Sequence, residues 1–183
     1  RAAAIAKLYT SESAVTATRM ATQVFGGYGF MDETLVSRQY RDAKILEIGE
    51  GTLLEPGCWL TLSDDARIRI GEGCFLNKNT MLAALELIEI GDHVMFANNC
   101  FVGDSNHRYN DPTKPITWQG FEPQGPVRIG SNCWFGVDCV VTGGVQIGDR
   151  CVIGANSVVT KDLPRGVIAA GVPAKVIREI EFR

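Results

Sequence analysis

The 183-residue chain has few of the side chains that build metal sites, and its charge is nearly balanced. It contains two histidines, and its six cysteines form no C-x-x-C pair, so a zinc site is poorly supported. The formal net charge is -3, and no basic run offers an electrostatic footprint to a nucleic acid. Apolar stretches are too short, and too often interrupted by glycine and charge, to span a bilayer. We therefore expect no catalytic metal, no nucleic-acid partner and no membrane span.

The first residues lack the basic start, the apolar centre and the cleavage site of a secretory signal. Hydrophobic residues make up 45% of the chain and charged residues 21%, which is typical of a globular protein. We predict a cytoplasmic protein with one ordinary domain, with or without a helical appendage.

An apolar residue recurs at every sixth position over much of the chain. The most regular run is Ile129, Phe135, Val141, Ile147, Ile153 and Val159. Two shorter arrays precede it, Ile70, Leu76 and Leu82, then Ile90, Phe96 and Val102, and Leu54 and Leu60 start the series less regularly. A six-residue repeat is typical of a parallel β-helix, because each unit supplies one short strand and one corner, and three units close a triangular coil. A β-sandwich is disfavoured, because its strands alternate with a period of two.

The cysteines follow the same repeat. Cys58, Cys74, Cys100, Cys133, Cys139 and Cys151 each stand four residues after a periodic apolar residue. Thr80, Val94 and Ser157 fill the equivalent position elsewhere. Because a free cysteine behaves as a small, buriable hydrophobe, we interpret these six as packing residues rather than as disulfides or metal ligands.

The N-terminal part has a different pattern. It is rich in alanine and carries apolar residues at helical spacing, until the GGYGF segment (26–30) ends the first helix. A second helical stretch is predicted from about Thr34 to Ile48. We therefore divide the chain into a helical segment, 1–52, and a β-helix, 53–183, with an excursion loop over 103–127 where the repeat stops.

Five segments of the β-helical part resemble a known family. They are NKN (77–79), SNHRY (105–109), NCWFG (132–136), IGANSVVTKD (153–162) and AAGVPAKVI (169–177). Together they resemble the hexapeptide-repeat acyltransferases, close to the galactoside and maltose O-acetyltransferases. The resemblance implies a mainly β fold, a left-handed parallel β-helix with a short N-terminal α-helical appendage in this chain. It also implies a homotrimer with its active sites between subunits.

The resemblance assigns the chemistry of acyl transfer to three residues. His107 would be the general base that takes the proton of an acceptor hydroxyl, since imidazole titrates near neutral pH. The backbone N–H of Val137 would donate to the oxyanion, and Trp134 would flank the acyl group or, alternatively, fill the trimer interface. His93 stands at a corner position of the repeat, and we interpret it as a surface residue.

Acetyl-CoA is the implied cosubstrate, and its site maps onto Ala155, Thr160, Lys161 and Lys175. The two lysines would meet the phosphates as point charges, although a simple surface role for them stays open. Lys175 replaces an arginine that is common in the sugar acetyltransferases.

The acceptor site departs from that of the galactoside-type enzymes. Asn77, Tyr109 and Trp118 are the predicted acceptor-binding residues. However, Ala84 and Leu85 replace a pair of aspartates, and a helical segment that supplies a further aspartate is missing. Simple galactosides and maltose are therefore poor candidates, and the aromatic excursion suits a different sugar.

Residues 1–52 resemble the C-terminal helical domain of the acyl-CoA dehydrogenases instead. The segments that carry this resemblance are AKLYTSESAVTATRMATQVFGGYGF (6–30) and SRQYRDAKILEIGEGT (37–52). That resemblance would make Glu50 a catalytic base and would imply flavin. About 50 residues cannot rebuild a flavin site, so we expect a non-catalytic appendage and no flavin.

The leading prediction is an acetyl-CoA-dependent O-acetyltransferase that acts on a sugar or glycan precursor. An N-acetyltransferase of an amino sugar and a non-catalytic β-helix trimer scaffold are the alternatives. A γ-type carbonic anhydrase shares the fold but needs three zinc-bound histidines, and the sequence has two.

Overall fold

A computed structural model describes residues 46–63 and 65–182. The first coil contains β1 (Leu46–Ile48), β2 (Leu53–Leu54) and β3 (Trp59–Leu62). The second coil contains β4 (Arg67–Ile70), β5 (Phe75–Leu76) and β6 (Met81–Ala84). The third coil contains β7 (Leu87–Ile90), β8 (Met95–Phe96) and β9 (Phe101–Gly103). An excursion arm, residues 104–126, then carries β10 (Ser105–His107), a 3-10 helix (Ile116–Trp118) and β11 (Phe121–Pro123). The fourth coil contains β12 (Val127–Ile129), β13 (Trp134–Phe135) and β14 (Val140–Val141); the fifth contains β15 (Gln146–Ile147), β16 (Val152–Ile153) and β17 (Val158–Val159); and β18 (Val167–Gly171) and β19 (Ala174–Glu179) complete the chain.

The strands stack into three sheets that form the sides of a triangular prism. Sheet A has the order β1-β4-β7-β12-β15, sheet B the order β2-β5-β8-β13-β16-β18-β19, and sheet C the order β3-β6-β9-β14-β17. All neighbours in these sheets are parallel except β18 and β19. The parallel β-helix predicted from the six-residue repeat is therefore confirmed.

The periodic residues form the core, because each one stacks on its counterpart in the next coil. Ile70 pairs with Ile90, which pairs with Ile129, and Ile129 pairs with Ile147. In sheet B the rings of Phe96 and Phe135 lie nearly parallel, with centroids 4.5 Å apart. Each such side chain contributes about 1.5–3 kcal/mol when it is fully buried, so the stability of each coil depends on its neighbours.

The corner position four residues after each periodic residue has a polar as well as a packing role. The thiols of Cys74, Cys100, Cys133, Cys139 and Cys151 each donate to a carbonyl of the next coil, with S···O distances of 3.1–3.2 Å. The hydroxyl of Thr52 donates in the same way to Gly71, at 2.7 Å. These five cysteines are buried and form no disulfide. Desolvation raises the pKa of the Cys74 thiol, and the packing role predicted for the cysteines agrees with this geometry.

A stack of left-handed residues forms the edge between sheets B and C. Asn79, Asn99, Asp138 and Asn156 have φ between 58° and 60°, which asparagine and aspartate tolerate better than other non-glycine residues. The Asn79 amide donates to Asn99, and the Asn99 amide donates to Asp138, both at 3.1 Å. His93, with φ of 56°, occupies a corner between sheets A and B, as its position in the repeat predicted.

The three outer faces of the prism differ in polarity. On sheet A the outward residues directly before the periodic ones are Glu47, Arg69, Glu89, Arg128 and Gln146, and the charged ones form a ladder of ion pairs of 3.1–3.8 Å. On sheet C the residues at the equivalent position are Trp59, Met81, Phe101, Val140 and Val158, all apolar. The side chain of Trp59 is 66% exposed in the single chain. Sheet C therefore presents an apolar surface that an assembly could bury.

The N-terminal boundary of the β-helix differs from the prediction. The second helical stretch was expected to reach Ile48, but Leu46–Ile48 is strand β1, and it pairs with Ile68–Ile70 of β4. The reason is that IGEGT (48–52) has the same pattern as IGEGC (70–74), with Ile48 six residues before Leu54. Glu50 lies at a corner of the first coil, where its carbonyl accepts the N–H of Gly73. The predicted helices before residue 46 lie outside the described residues.

Within residues 46–63 and 65–182, no helix has both the length and the apolar character needed to cross a membrane.

Candidate active site

His107 ends the outgoing strand of the excursion arm. Strands β10 and β11 pair antiparallel, with His107 opposite Phe121, and the N–H of Arg108 donates to the carbonyl of Gly120 at 3.0 Å. The imidazole lies against the Phe121 ring, with centroids 4.4 Å apart and planes inclined by 34°. His107 is exposed. The arm thus presents an oriented imidazole to solvent, as a general base needs.

The outer part of the arm is held by its own side chains. The Asp111 carboxylate accepts hydrogen bonds from both the N–H and the hydroxyl of Thr113, and these bonds hold the pKa of Asp111 below its usual value. The Gln119 amide donates to the carbonyls of Asp111 and Lys114. Tyr109 and Trp118 are 73% and 78% exposed, so both are accessible to an acceptor.

The predicted oxyanion donor lies at the edge between sheets B and C. Val137 follows Gly136 at this corner, and its carbonyl accepts the N–H of Asn156 in the next coil at 2.8 Å. Among the described residues, the N–H of Val137 donates to no backbone or side-chain acceptor. A Cβ on Gly136 would lie 2.6 Å from the backbone nitrogen of Ala155, so glycine is required for the two coils to approach here. Val137 and Ala155 are therefore close neighbours along one edge.

Trp134 and Asn77 flank the same edge. Trp134 points outward from sheet B, in register with Met95 and Val152, and it is 50% exposed. Asn77 begins the corresponding corner two coils earlier, where its side-chain oxygen accepts the N–H of Lys78 at 2.8 Å.

The predicted phosphate-binding residues are exposed. Thr160 and Lys161 form the last corner between sheet C and sheet A, beyond β17. Lys175 lies on β19, paired with Ala170.

Within one chain, the predicted site is divided between two edges of the prism. The arm with His107 leaves at the edge between sheets C and A, as do Thr160 and Lys161. Asn77, Val137 and Ala155 lie at the edge between sheets B and C. The apolar face of sheet C separates the two groups.

A groove with a volume of about 1150 Å³ runs along sheet A and reaches Asp162, the residue after Lys161. Its outer strands carry the ladder that pairs Arg69 with Glu47 and both Arg69 and Arg128 with Glu89. Since these charges neutralise each other, we do not assign the chemistry to this groove. Within the described part of the chain, no three His, Cys, Asp or Glu side chains are placed to hold a metal ion.

The sequence did not reveal two features near His107. Phe121 was expected to contribute to the aromatic surface of the excursion, but its contact with His107 depends on the hairpin register. Asp104 gave no signal, because its burial arises only when the arm returns to the coil.

The fold and the site define a class, and comparison with known proteins agrees. The family described as "Hexapeptide repeat of succinyl-transferase" matches residues 126–161, and the one described as "Acyl-CoA dehydrogenase, C-terminal domain" matches residues 1–53. A solved galactoside acetyltransferase in complex with coenzyme A is 32% identical, with a TM-score of 0.67 over 91% of this chain and 82% of that chain. The chain belongs to the hexapeptide-repeat acyltransferases, and both resemblances seen in its sequence are confirmed.

Two curated relatives show how much of such proteins the chain spans. The galactoside O-acetyltransferase of Escherichia coli (strain K12) is 38% identical over 136 residues, which are 74% of this chain and 64% of that protein. A Mycobacterium tuberculosis protein named "Probable acetyltransferase" is 39% identical over 132 residues, 68% of this chain and 44% of that protein. The chain thus spans about half to two thirds of the length of these relatives.

Proposed function

We propose that the protein is an acetyl-CoA-dependent O-acetyltransferase that acts on a sugar or glycan precursor in the cytoplasm. The observation that carries the proposal is the exposed imidazole of His107, which packs against Phe121. The arm that holds it leaves the prism at one edge of the apolar sheet C, and Val137 lies at the opposite edge of that sheet. A base and an unpaired backbone donor are the two groups that direct acyl transfer from a thioester needs.

His107 takes the proton of the acceptor hydroxyl as the oxygen bonds to the thioester carbonyl carbon. The Val137 N–H donates to the oxygen that gains negative charge. When the carbon–sulfur bond breaks, the imidazolium returns its proton to the departing thiolate. No covalent enzyme intermediate is needed, and the general base accounts for about 10²- to 10⁴-fold in rate.

A trimer would bring the two halves of the site together. If the apolar face of sheet C turns toward a three-fold axis, the C–A edge of one copy meets the B–C edge of the next. His107 of one copy then lies beside Val137 and Asn77 of its neighbour. Burial of Trp59, Phe101 and Val140 would favour this arrangement, whereas the charged face of sheet A would stay in water.

The residues that would bind acetyl-CoA suit its chemistry. The B–C edge offers backbone groups at Val137 and Ala155 for the pantetheine, and the exposed Lys161 and Lys175 offer positive charge to phosphates. Tyr109 and Trp118 would contact the acceptor, since exposed aromatic rings pack well against the apolar faces of sugars.

The test is thiol release from acetyl-CoA with a panel of sugars, glycan fragments and amino sugars. We expect wild-type protein to transfer acetyl to a hydroxyl, and His107→Ala to lose about 10²- to 10⁴-fold in kcat. His93→Asn is the matched control, because asparagine tolerates the left-handed corner and this residue lies on another edge. A His107→Ala variant with full activity would remove the imidazole from the mechanism. Acetylation only at amines would favour the N-acetyltransferase, and no transfer to any acceptor would favour the scaffold.

A further inference from the structure

Asp104, at the root of the excursion arm, is a buried carboxylate with a full set of hydrogen-bond donors. It has no exposed surface. One carboxylate oxygen accepts the N–H of Leu85 at 2.6 Å, and the other accepts those of Glu86 and Leu87 at 2.7 and 2.8 Å. These three residues form the corner between the second and third coils. Burial of a charge is costly unless it is satisfied in this way, so the carboxylate fixes the arm root against that corner.

The backbone of Asp104 connects two further elements. Its N–H points to the carbonyl of Ala83 in the second coil, at 3.4 Å, and its carbonyl accepts the N–H of Gln124 at 2.8 Å. Gln124 lies on the returning side of the arm. A single residue therefore ties together the second coil, the corner at 85–87 and both ends of the arm.

The fourth coil supports the same root from the other side. The N–H of Gly144 donates to the carbonyl of Gly125 at 2.7 Å. A Cβ on Gly143 would lie 2.9 Å from the carbonyl oxygen of Asp104 and would collide with the side chain of Gln124. The close approach of the arm root to this corner thus requires a glycine at position 143.

We propose that Asp104 is a positioning residue for His107. Only Ser105 and Asn106 separate the two residues, and all of β10 is extended. A displacement of the arm root therefore displaces the imidazole by nearly the same distance. The proposal rests on the proposed function, because it needs His107 to act as the base. Misplacement of a base by about 1 Å can cost about 10²-fold in rate.

The experiment measures kcat and KM for Asp104→Asn, His107→Ala and the double variant, per folded trimer. We expect Asp104→Asn to lose about 10- to 100-fold in kcat, with KM for acetyl-CoA within about twofold of wild type. Since Asp104 acts through His107, the double variant should be no slower than His107→Ala. Asp92→Asn, which alters a corner carboxylate that accepts the N–H of Glu72, is the control and should match wild type.

The shape of the pH–rate profile separates positioning from a general loss of structure. Asp104→Asn should show a smaller rise in kcat with pH than wild type, because the base-dependent part of its rate falls while the base-independent part, measured in His107→Ala, does not. A variant that is only partly folded would keep the wild-type shape at a lower amplitude. If Asp104→Asn does not fold, Gly143→Ala takes its place in the same double-variant comparison, with Gly130→Ala, at another tight corner, as its control.

Two results would overturn the inference. One is a wild-type kcat per folded trimer in Asp104→Asn, or in Gly143→Ala where that variant takes its place. The other is a double variant whose kcat is lower than that of His107→Ala by the same factor by which Asp104→Asn alone lowers the wild-type kcat. If His107→Ala itself retains activity, the proposed function fails first, and its failure is visible in that variant alone.

Discussion

The imidazole of His107 lies 4.4 Å from the ring of Phe121, centroid to centroid, across the antiparallel pair of strands that forms the arm. The two residues are direct partners in the ladder, so the ring of one defines the position of the other. A flat, apolar neighbour limits the rotation of an otherwise exposed imidazole without taking up either ring nitrogen.

This contact predicts that Phe121 supports His107 in its proposed role as the base. Phe121→Leu should lower kcat by about 10-fold, and by no more than about 10²-fold, because the imidazole loses its flat contact but not its chemistry. Phe121→Tyr should stay within about twofold of wild type, since it keeps the ring. Steady-state kinetics on both variants checks this, with KM for acetyl-CoA unchanged. Equal rates for the leucine and tyrosine variants would mean that the contact has no catalytic role.

The backbone donor of Val137 can be removed by a substitution that the fold already contains. Pro56 occupies the same corner position in the first coil, because the carbonyls of Pro56, Lys78, Asn98 and Val137 each accept the N–H of a left-handed residue in the next coil. Val137→Pro should therefore fold while it lacks the N–H. We expect kcat to fall by about 10²- to 10³-fold, as for the loss of one oxyanion donor, and Val137→Ala to remain near wild type. Folded Val137→Pro with normal kcat would exclude this N–H from the reaction.

The apolar face of sheet C predicts where copies of the chain associate. Val140→Lys, which places a charge in the middle of this face, should give monomers or a marked loss of trimer at micromolar concentration. Arg128→Glu changes the charge on sheet A and should leave the trimer intact, because that face is predicted to stay in water. Analytical ultracentrifugation distinguishes the two. If only the sheet A variant dissociated, the interface would lie on sheet A and not on sheet C.

The stack of left-handed residues predicts a specific order of stabilities. Asn99→Ala should lose about 1–2 kcal/mol of unfolding free energy, because alanine pays the cost of positive φ and both amide contacts are lost. Asn99→Gly should lose less, since glycine adopts this conformation freely. Urea denaturation of the two variants gives the comparison, and an alanine variant as stable as the glycine variant would contradict it.

The repeat allowed much of the fold to be predicted from the sequence. Residues such as Ile129, Phe135 and Val141 are buried because their spacing matches the three sides of the coil, and no distant partner has to be known. The same rule applied to Ile48 would have revealed the first coil, but the resemblance of this segment to a helical family favoured a helix there.

The site was harder to predict, because it depends on contacts between residues far apart in the chain. His107 lies in the excursion arm, and Tyr109 and Trp118 are exposed, but the roles assigned to them stay predictions. The burial of Asp104 could not be predicted, since its three donors lie 17–19 residues earlier in the chain. Nor does the repeat show that His107 and Val137 leave the prism at different edges.

The most direct test of the account is complementation between His107→Ala and Val137→Pro chains. Each variant alone should be nearly inactive. When the two are unfolded together in equal amounts and refolded, three quarters of the trimers contain both chains, and each of these has one intact site, so about a quarter of wild-type activity should return. Recovery near that level would support a site built from the base of one copy and the donor of its neighbour. Refolded mixed trimers with no activity above the two single variants would contradict it.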